Sequence, residues 1–179
     1  MSIDIVFYTH ANNNTGFGHA ARCAKIAKII NRISPSLKIG FFGEFTPSAK
    51  KVVTTLCDPV FLDKPDALVG VYDRMDQHIN PEIWSHGKLA YLKQRCQKVI
   101  FMANGRKVPD VPSDITVIGY KITSEIVSRS NCHWGLEYTP VDVSLKDNTY
   151  CTAPDGQLFL ALGGGQGNAL TKKALIAVN

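Results

Sequence analysis

The sequence predicts an α/β fold, a Rossmann-like parallel sheet with helices on both faces. Short apolar runs rich in β-branched residues alternate along the chain with segments of helical period. Strands that alternate with helices in this way form parallel sheets whose two faces are covered. The 179 residues are 45% hydrophobic and 20% charged, which is the composition of a globular protein about one domain in size.

Five apolar runs are the predicted strands: Ile3–Tyr8, Leu37–Phe42, Asp66–Tyr72, Lys98–Ala103 and Ile115–Gly119. A helix is predicted from about residue 20 to residue 30, because small and apolar side chains recur there at helical spacing. Its apolar face comprises Ala20, Cys23, Ala24, Ala27 and Ile30. Two further helices are predicted to begin at Pro47 and Pro81.

Composition and charge exclude several classes of protein. The net charge of +5 comes from scattered Lys and Arg, which is typical of a solvated basic face or of attraction to a phosphate-bearing small molecule, and nucleic acid is not an expected partner. We expect a cytoplasmic protein with no integral membrane segment and at most weak association with a membrane surface, because long apolar runs and signal-peptide features are lacking. Five widely spaced cysteines without a C-x-x-C pair indicate neither a disulfide framework nor a metal site.

The pattern changes towards the C-terminus. Residues 1–145 form the predicted domain, and residues 146–157 have the Asp, Asn, Pro and Gly content of a linker. Residues 158–179 have the pattern of a strand, a glycine turn and the start of a helix. Since one strand and one helix cannot bury their own apolar faces, we expect this segment to open a second, truncated domain.

The stretch NNNTGFGHAARCAKIA, residues 12–27, joins the first strand to the first helix. Gly16, Gly18 and Ala21 have the spacing of a dinucleotide-binding loop, and Glu44 ends the second strand, where an acidic residue would hold a ribose. In such folds, however, the glycines follow the first strand almost at once. Here residues 10–16 form a long loop, which counts against a nicotinamide site.

His19 gives the same stretch a different interpretation. It falls in the first turn of the helix, where unpaired N–H groups and the positive end of the dipole favour a neutral imidazole. A neutral imidazole can accept a proton from water or from a hydroxyl, as a general base must. Gly16 and Gly18 would let a substrate approach the backbone. The residues also allow a histidine that only caps the helix.

The stretch Thr15–Ala27 resembles the G-x-G-H-x-x-R-x-x-x-[LI]-A signature of GT-B-type glycosyltransferase N-terminal domains. It is most similar to the family of the pseudaminic acid pathway UDP-sugar hydrolase and its spore-coat polysaccharide homologues. Residues 135–142, GLEYTPVD, are similar to the G-x-[EQ]-Y segment that closes the first domain in that family. Residues 160–171, LALGGGQGNALT, are similar to the F-G-G-S-D-x-x-N-x-T segment that opens the second domain.

This resemblance implies two Rossmann-like domains that face each other across a cleft, with a UDP-linked nucleotide sugar as substrate and no cofactor. It assigns the general base to His19. The candidate substrate-binding residues are Gly16, Phe17, Gly18, Arg22, Tyr72, Asp73, Glu137 and Tyr138, of which Tyr72 and Asp73 are also indicated because they end a parallel strand. The candidate nucleotide-binding residues are Gly163, Gly164, Gly165, Asn168 and Thr171.

Two departures from the family pattern put parts of this assignment in question. Gly165 and Gln166 replace the serine and aspartate that follow the paired glycines, and Asp73 follows Tyr72 where the family has an aspartate before a tyrosine. The leading hypothesis is glycosyl transfer from a nucleotide sugar to a hydroxyl acceptor or to water, in surface polysaccharide or sugar biosynthesis. A non-catalytic sugar-binding or partner-docking module is the alternative, and an NAD-binding Rossmann protein is the third.

Overall fold

A computed structural model describes residues 2–12, 15–74, 81–103, 111–119 and 131–139; for residues 81–86 and Leu136 it describes the backbone. The elements of this part of the chain, in order, are β1 (Ile3–Tyr8), α1 (Gly18–Ile33), β2 (Ile39–Phe42), α2 (Pro47–Leu56), β3 (Val60–Leu62), β4 (Ala67–Tyr72), α3 (Pro81–Arg95), β5 (Cys96–Ala103), β6 (Ile115–Ile118), β7 (Cys132–Trp134) and a 3-10 helix (Leu136–Tyr138).

The strands form one parallel sheet in the order β3-β2-β1-β4-β5-β6-β7. The predicted α/β class with a Rossmann-like parallel sheet is therefore confirmed. Tyr8 at the end of β1 pairs with Phe42 on one side and with Tyr72 on the other. The carboxyl ends of three neighbouring strands thus lie level at one edge of the sheet, and the strand order reverses direction between β1 and β4.

The core is divided between the two faces of the sheet, because successive side chains of a strand point in opposite directions. Phe7 packs with the helices α1 and α2, whereas its neighbours Val6 and Tyr8 belong to the cluster that contains Leu89 and Leu92 of α3. The predicted apolar face of α1 is confirmed at four positions, which are fully or almost fully buried: Ala20, Cys23, Ala24 and Ala27. Helices therefore cover both faces.

Two strands, β3 and β7, were not predicted from the sequence. Each has only three residues and lies at an outer margin of the sheet. β3 is flanked by Asp58-Pro59 and by Asp63-Lys64-Pro65. Because these residues are typical of turns, the sequence predicts a loop where this three-residue strand lies. The predicted linker and the start of a second domain lie outside the described residues.

None of the helices in the described ranges is both long enough and apolar enough to cross a bilayer. Cys23, Cys57 and Cys96 are present as thiols. Within the same ranges, no three His, Cys, Asp or Glu side chains converge in a way that could hold a metal ion.

Candidate active site

Two pairs of adjacent polar residues are buried where β1 and β4 end. Thr9 and His10 follow β1, and Asp73 and Arg74 follow β4; each is at most 5% exposed. The Asp73 backbone N–H donates to the Tyr8 carbonyl (3.0 Å), which ties the two strand ends together. In open parallel sheets, ligands bind outside the carboxyl ends of the strands at the point where the strand order reverses. This edge therefore has the position at which ligand sites form in such sheets.

The segment between β1 and α1, described for residues 9–12 and 15–17, leads to the start of α1 at that edge. The Ala11 N–H donates to the Glu44 carbonyl (2.9 Å), which holds the loop against the segment that follows β2. A turn then forms on Asn12, whose side-chain Oδ1 accepts from the Thr15 N–H (3.0 Å) and whose carbonyl accepts from the Gly16 N–H (2.9 Å). Gly16 has φ +70°, a conformation that strongly favours glycine. The glycine of the motif thus has a structural reason here.

His19 and Asp73 form the central contact of the site. His19 Nδ1 lies 2.7 Å from Asp73 Oδ1, and the Asp73 side chain is fully buried while that of His19 is 15% exposed. A carboxylate accepts the proton of Nδ1 and so fixes the tautomer in which Nε2 carries the lone pair. In that tautomer the ring is oriented to take a proton at Nε2, which is the geometry a general base needs.

Arg22 completes the site from the same helix face, one turn after His19. Its Nε donates to Asp73 Oδ2 (2.8 Å), and its Nη2 donates to Asp73 Oδ1. The guanidinium therefore grips the carboxylate with two parallel hydrogen bonds. Arg22 Nη2 also lies 3.4 Å from His19 Nδ1, so the three side chains form one cluster.

The pKa of Asp73 reflects this cluster. Burial alone would raise the pKa, but the hydrogen bonds from His19 and Arg22 and the charge of Arg22 outweigh it and lower the pKa from 3.8 to about 2. Cys23 Sγ also contacts Asp73 Oδ2, at 3.4 Å. Burial and the negative charge of Asp73 raise the pKa of this thiol well above its ordinary value, so Cys23 is an inert donor and not a nucleophile.

Three of the predicted substrate-binding residues have contrasting surroundings. Gly18 is exposed, and a Cβ added there would meet no atom within 4 Å. Phe17 is half-buried and packs against the core beneath α1. Tyr72 is fully buried between the rings of Tyr8 (5.4 Å between centroids) and Phe101 (6.0 Å), which places its ring in the core and not at the surface.

Glu137 and Tyr138 are not brought next to His19. They lie in the 3-10 helix after β7, at the far margin of the sheet, and the Tyr138 ring packs at 5.8 Å from that of His133. Three strand spacings separate β7 from β4, which amounts to about 14 Å. The predicted nucleotide-binding residues, Gly163, Gly164, Gly165, Asn168 and Thr171, lie outside the described residues.

Sequence reasoning missed three polar residues of this edge: Thr9, His10 and Arg74. The His10 ring lies 6.2 Å from the His19 ring, between centroids. Thr9 Oγ1 is buried and reaches no partner with hydrogen-bond geometry among the described residues, although the Cys23 thiol is near enough to be affected by it. The Arg74 guanidinium lies over the Tyr8 ring at 4.9 Å, on the other face of the sheet. Their positions directly after two strands were the available signal.

Comparisons of the chain with family models, with curated proteins and with solved structures found no match. The interpretation of the site therefore depends on its own geometry: an imidazole at the start of a helix, oriented by a buried carboxylate that an arginine also holds.

Proposed function

We propose that this chain forms the N-terminal domain of a GT-B-type enzyme that transfers a glycosyl group from a nucleotide sugar to a hydroxyl acceptor or to water, with His19 as the general base. The observation that carries the proposal is the 2.7 Å contact between His19 Nδ1 and the buried Asp73 carboxylate. A histidine oriented by a carboxylate is a recurrent arrangement for deprotonating a hydroxyl. The resemblance of Thr15–Ala27 to the GT-B signature supports the substrate class.

The chemistry assigned to His19 is one proton transfer. Nε2 takes the proton of the acceptor hydroxyl or water as the oxygen attacks the anomeric carbon of the sugar. The bond from that carbon to the diphosphate oxygen breaks, and its electron pair leaves with the nucleoside diphosphate. Asp73 stabilises the imidazolium that forms, and it keeps the ring in position throughout.

The surroundings of His19 are compatible with an approaching sugar. Gly18 precedes His19, and the open space beside its Cα leaves room for a ligand near the first turn of α1. Free N–H groups at a helix start also favour negatively charged oxygens. The resemblance assigns the nucleotide mainly to residues 163–171 and the pathway to surface polysaccharide or sugar biosynthesis in the cytoplasm; both assignments belong to the proposal.

Replacement of the base tests the proposal. In the full-length protein, His19→Ala should lower the rate of nucleoside diphosphate release from UDP-sugars by about 100-fold or more, because general-base catalysis contributes at least that factor. Release would be followed with a coupled assay, and the thermal unfolding midpoint would show that the variant is folded. Unchanged turnover in the folded variant would remove His19 from the mechanism.

Product analysis would separate hydrolase from transferase, which the same base serves equally. A hydrolase releases free sugar at its full rate without an added acceptor, whereas a transferase depends on one. Binding of a sugar or of UDP without any turnover would instead indicate a non-catalytic binding module.

An NAD-binding protein is the third candidate, after the non-catalytic binding module, and one observation favours it. Glu44 lies two residues after the end of β2, the strand next to β1, and its side chain is 78% exposed, close to where a ribose-binding acid would lie. Titration with NADH, followed by its fluorescence, tests this candidate with Glu44→Gln as the matched variant. Saturable binding that the variant abolishes would favour the dinucleotide over the nucleotide sugar.

A further inference from the structure

We propose that Arg22 is a positioning residue that favours the proton-accepting form of His19, because its guanidinium supplies the positive charge that the buried Asp73 carboxylate would otherwise draw from a protonated imidazole. The inference rests on the proposed function for its catalytic meaning, but the charge relation among the three side chains can be measured without any turnover.

The hydrogen bonds to Asp73 show why Arg22 could have this effect. Both carboxylate oxygens are engaged by Arg22, Oδ2 from Nε at 2.8 Å and Oδ1 from Nη2. His19 shares Oδ1 with Arg22, and Cys23 shares Oδ2. The Arg22 guanidinium therefore directs Nε and Nη2 at the Asp73 carboxylate. This geometry is that of an arginine that holds a neighbouring side chain in position.

Charge neutrality decides the protonation of the cluster. A fully buried carboxylate requires a positive partner, since an unpaired buried charge is strongly unfavourable. With Arg22 in place the pair is already neutral, and His19 can stay uncharged. A protonated imidazole would in addition lie 3.4 Å from Arg22 Nη2 and be repelled by it. Without Arg22, a proton on His19 or on Asp73 itself would balance the charge within this cluster of three side chains.

The other titratable groups around His19 do not replace Arg22. From α1, the Cys23 thiol stays protonated and uncharged because its pKa is raised well above the ordinary value. From the segment after β1, the His10 ring lies 6.2 Å from the His19 ring, between centroids. Arg74 follows Asp73 directly, but its guanidinium lies over Tyr8 on the other face of the sheet. Among the described residues, Arg22 is thus the permanent positive charge in contact with the dyad.

The experiment is an NMR titration of the His19 ring in the full chain, with the resonance assigned by its loss in His19→Asn. In Arg22→Gln, the midpoint of the His19 titration should rise by about one pH unit or more, because a positive charge a few ångströms away has been removed. Arg22→Lys keeps the charge without the fork and should stay within about 0.3 pH unit of the unsubstituted protein. An unchanged midpoint in Arg22→Gln would overturn the inference, and a merely structural arginine would give that result.

A second pair of variants covers the case in which Arg22→Gln does not fold. Asp73→Asn leaves Arg22 beside His19 without the carboxylate, and the double variant Arg22→Gln/Asp73→Asn removes both charges. The double variant should titrate at least about 0.5 pH unit higher than Asp73→Asn, because only the repulsion from Arg22 differs between them. Equal midpoints would contradict the inference.

The activity profile separates this inference from the proposed function. If the nucleotide-sugar reaction is correct, the acid limb of the kcat/KM profile should move with the NMR midpoint in Arg22→Gln and return in Arg22→Lys. A shifted midpoint in a protein that turns over no nucleotide sugar would leave the charge relation established and reject the function. Turnover of a nucleotide sugar, with a His19 midpoint that Arg22→Gln leaves unchanged, would support the function and reject the charge relation.

Discussion

The Asp73 carboxylate should make a large contribution to the stability of this fold, and Asp73→Asn is the substitution that tests it. The variant preserves the shape of the side chain but leaves the Arg22 guanidinium, which is 27% exposed, without its anionic partner. Removing one member of a buried ion pair costs about 3–5 kcal/mol. For a chain of this size, such a loss lowers the thermal midpoint by about 10 °C.

The pKa of Asp73 gives an independent estimate and a pH window. A fall from 3.8 to about 2 in the folded state corresponds to about 2–3 kcal/mol of stability. Since the folded pKa is the lower one, this contribution is fully present above the unfolded value near 4. It is lost as the pH falls from about 4 to about 2. The difference between the two proteins should therefore be large at pH 7 and shrink across that acidic interval.

The assay is thermal or urea unfolding of both proteins at several pH values. Asp66→Asn is the matched control, because Asp66 pairs with Arg95 at 3.1 Å but is 58% exposed. Surface pairs of this kind contribute little, so the control midpoint should stay within about 2 °C. If Asp73→Asn were no less stable than the unsubstituted protein, or if its deficit did not change between pH 4 and pH 2, the assignment of Asp73 as a buried, ionised partner would be refuted.

Two further predictions concern the same region. Gly43→Ala should destabilise the protein by more than about 1 kcal/mol in urea unfolding, because Gly43 has φ +131° and an added Cβ would overlap the Thr9 carbonyl oxygen. Gly87→Ala in α3 is the control and should be neutral or stabilising, because an added Cβ there would meet no atom within 4 Å. Equal losses of stability in the two variants would contradict this prediction. The Cys23 thiol should react with a thiol reagent at pH 7.5 only after unfolding, because it is fully buried and its pKa is raised. Peptide mapping by mass spectrometry would identify the labelled cysteine. Rapid labelling of Cys23 in the native protein would contradict its burial.

The strands and helices of this protein follow largely from local pattern. β1 is a continuous apolar run because a central parallel strand is buried on both faces, and such a run is visible without any knowledge of the fold. The buried face of α1 follows equally from its helical period. β3 and β7 could not be found in this way, because a strand of three residues at a sheet margin has too few buried positions to produce a pattern.

The sequence also indicated His19 as a candidate general base, since a histidine at a helix start after a glycine turn has a recognisable setting. The sequence named Asp73 as a substrate-binding candidate, but its contact with His19 could not be predicted. Asp73 lies 54 residues further along the chain and comes to His19 through the pairing of β1 with β4. That pairing depends on how the helices pack on the two faces of the whole sheet. The spacing of residues along the sequence does not reveal which strands pair.

The clearest contrast is between the adjacent residues Tyr72 and Asp73, which the sequence indicated together as candidates for one cleft. The pleat sends successive side chains to opposite faces of the sheet. Tyr72 therefore enters the core beside Tyr8 and Phe101, whereas Asp73 turns towards α1 and meets His19 and Arg22. The sequence indicated both residues as candidates because they end a parallel strand. Only the tertiary structure places Asp73 beside His19 and leaves Tyr72 in the core, because the packed sheet gives its two faces different neighbours.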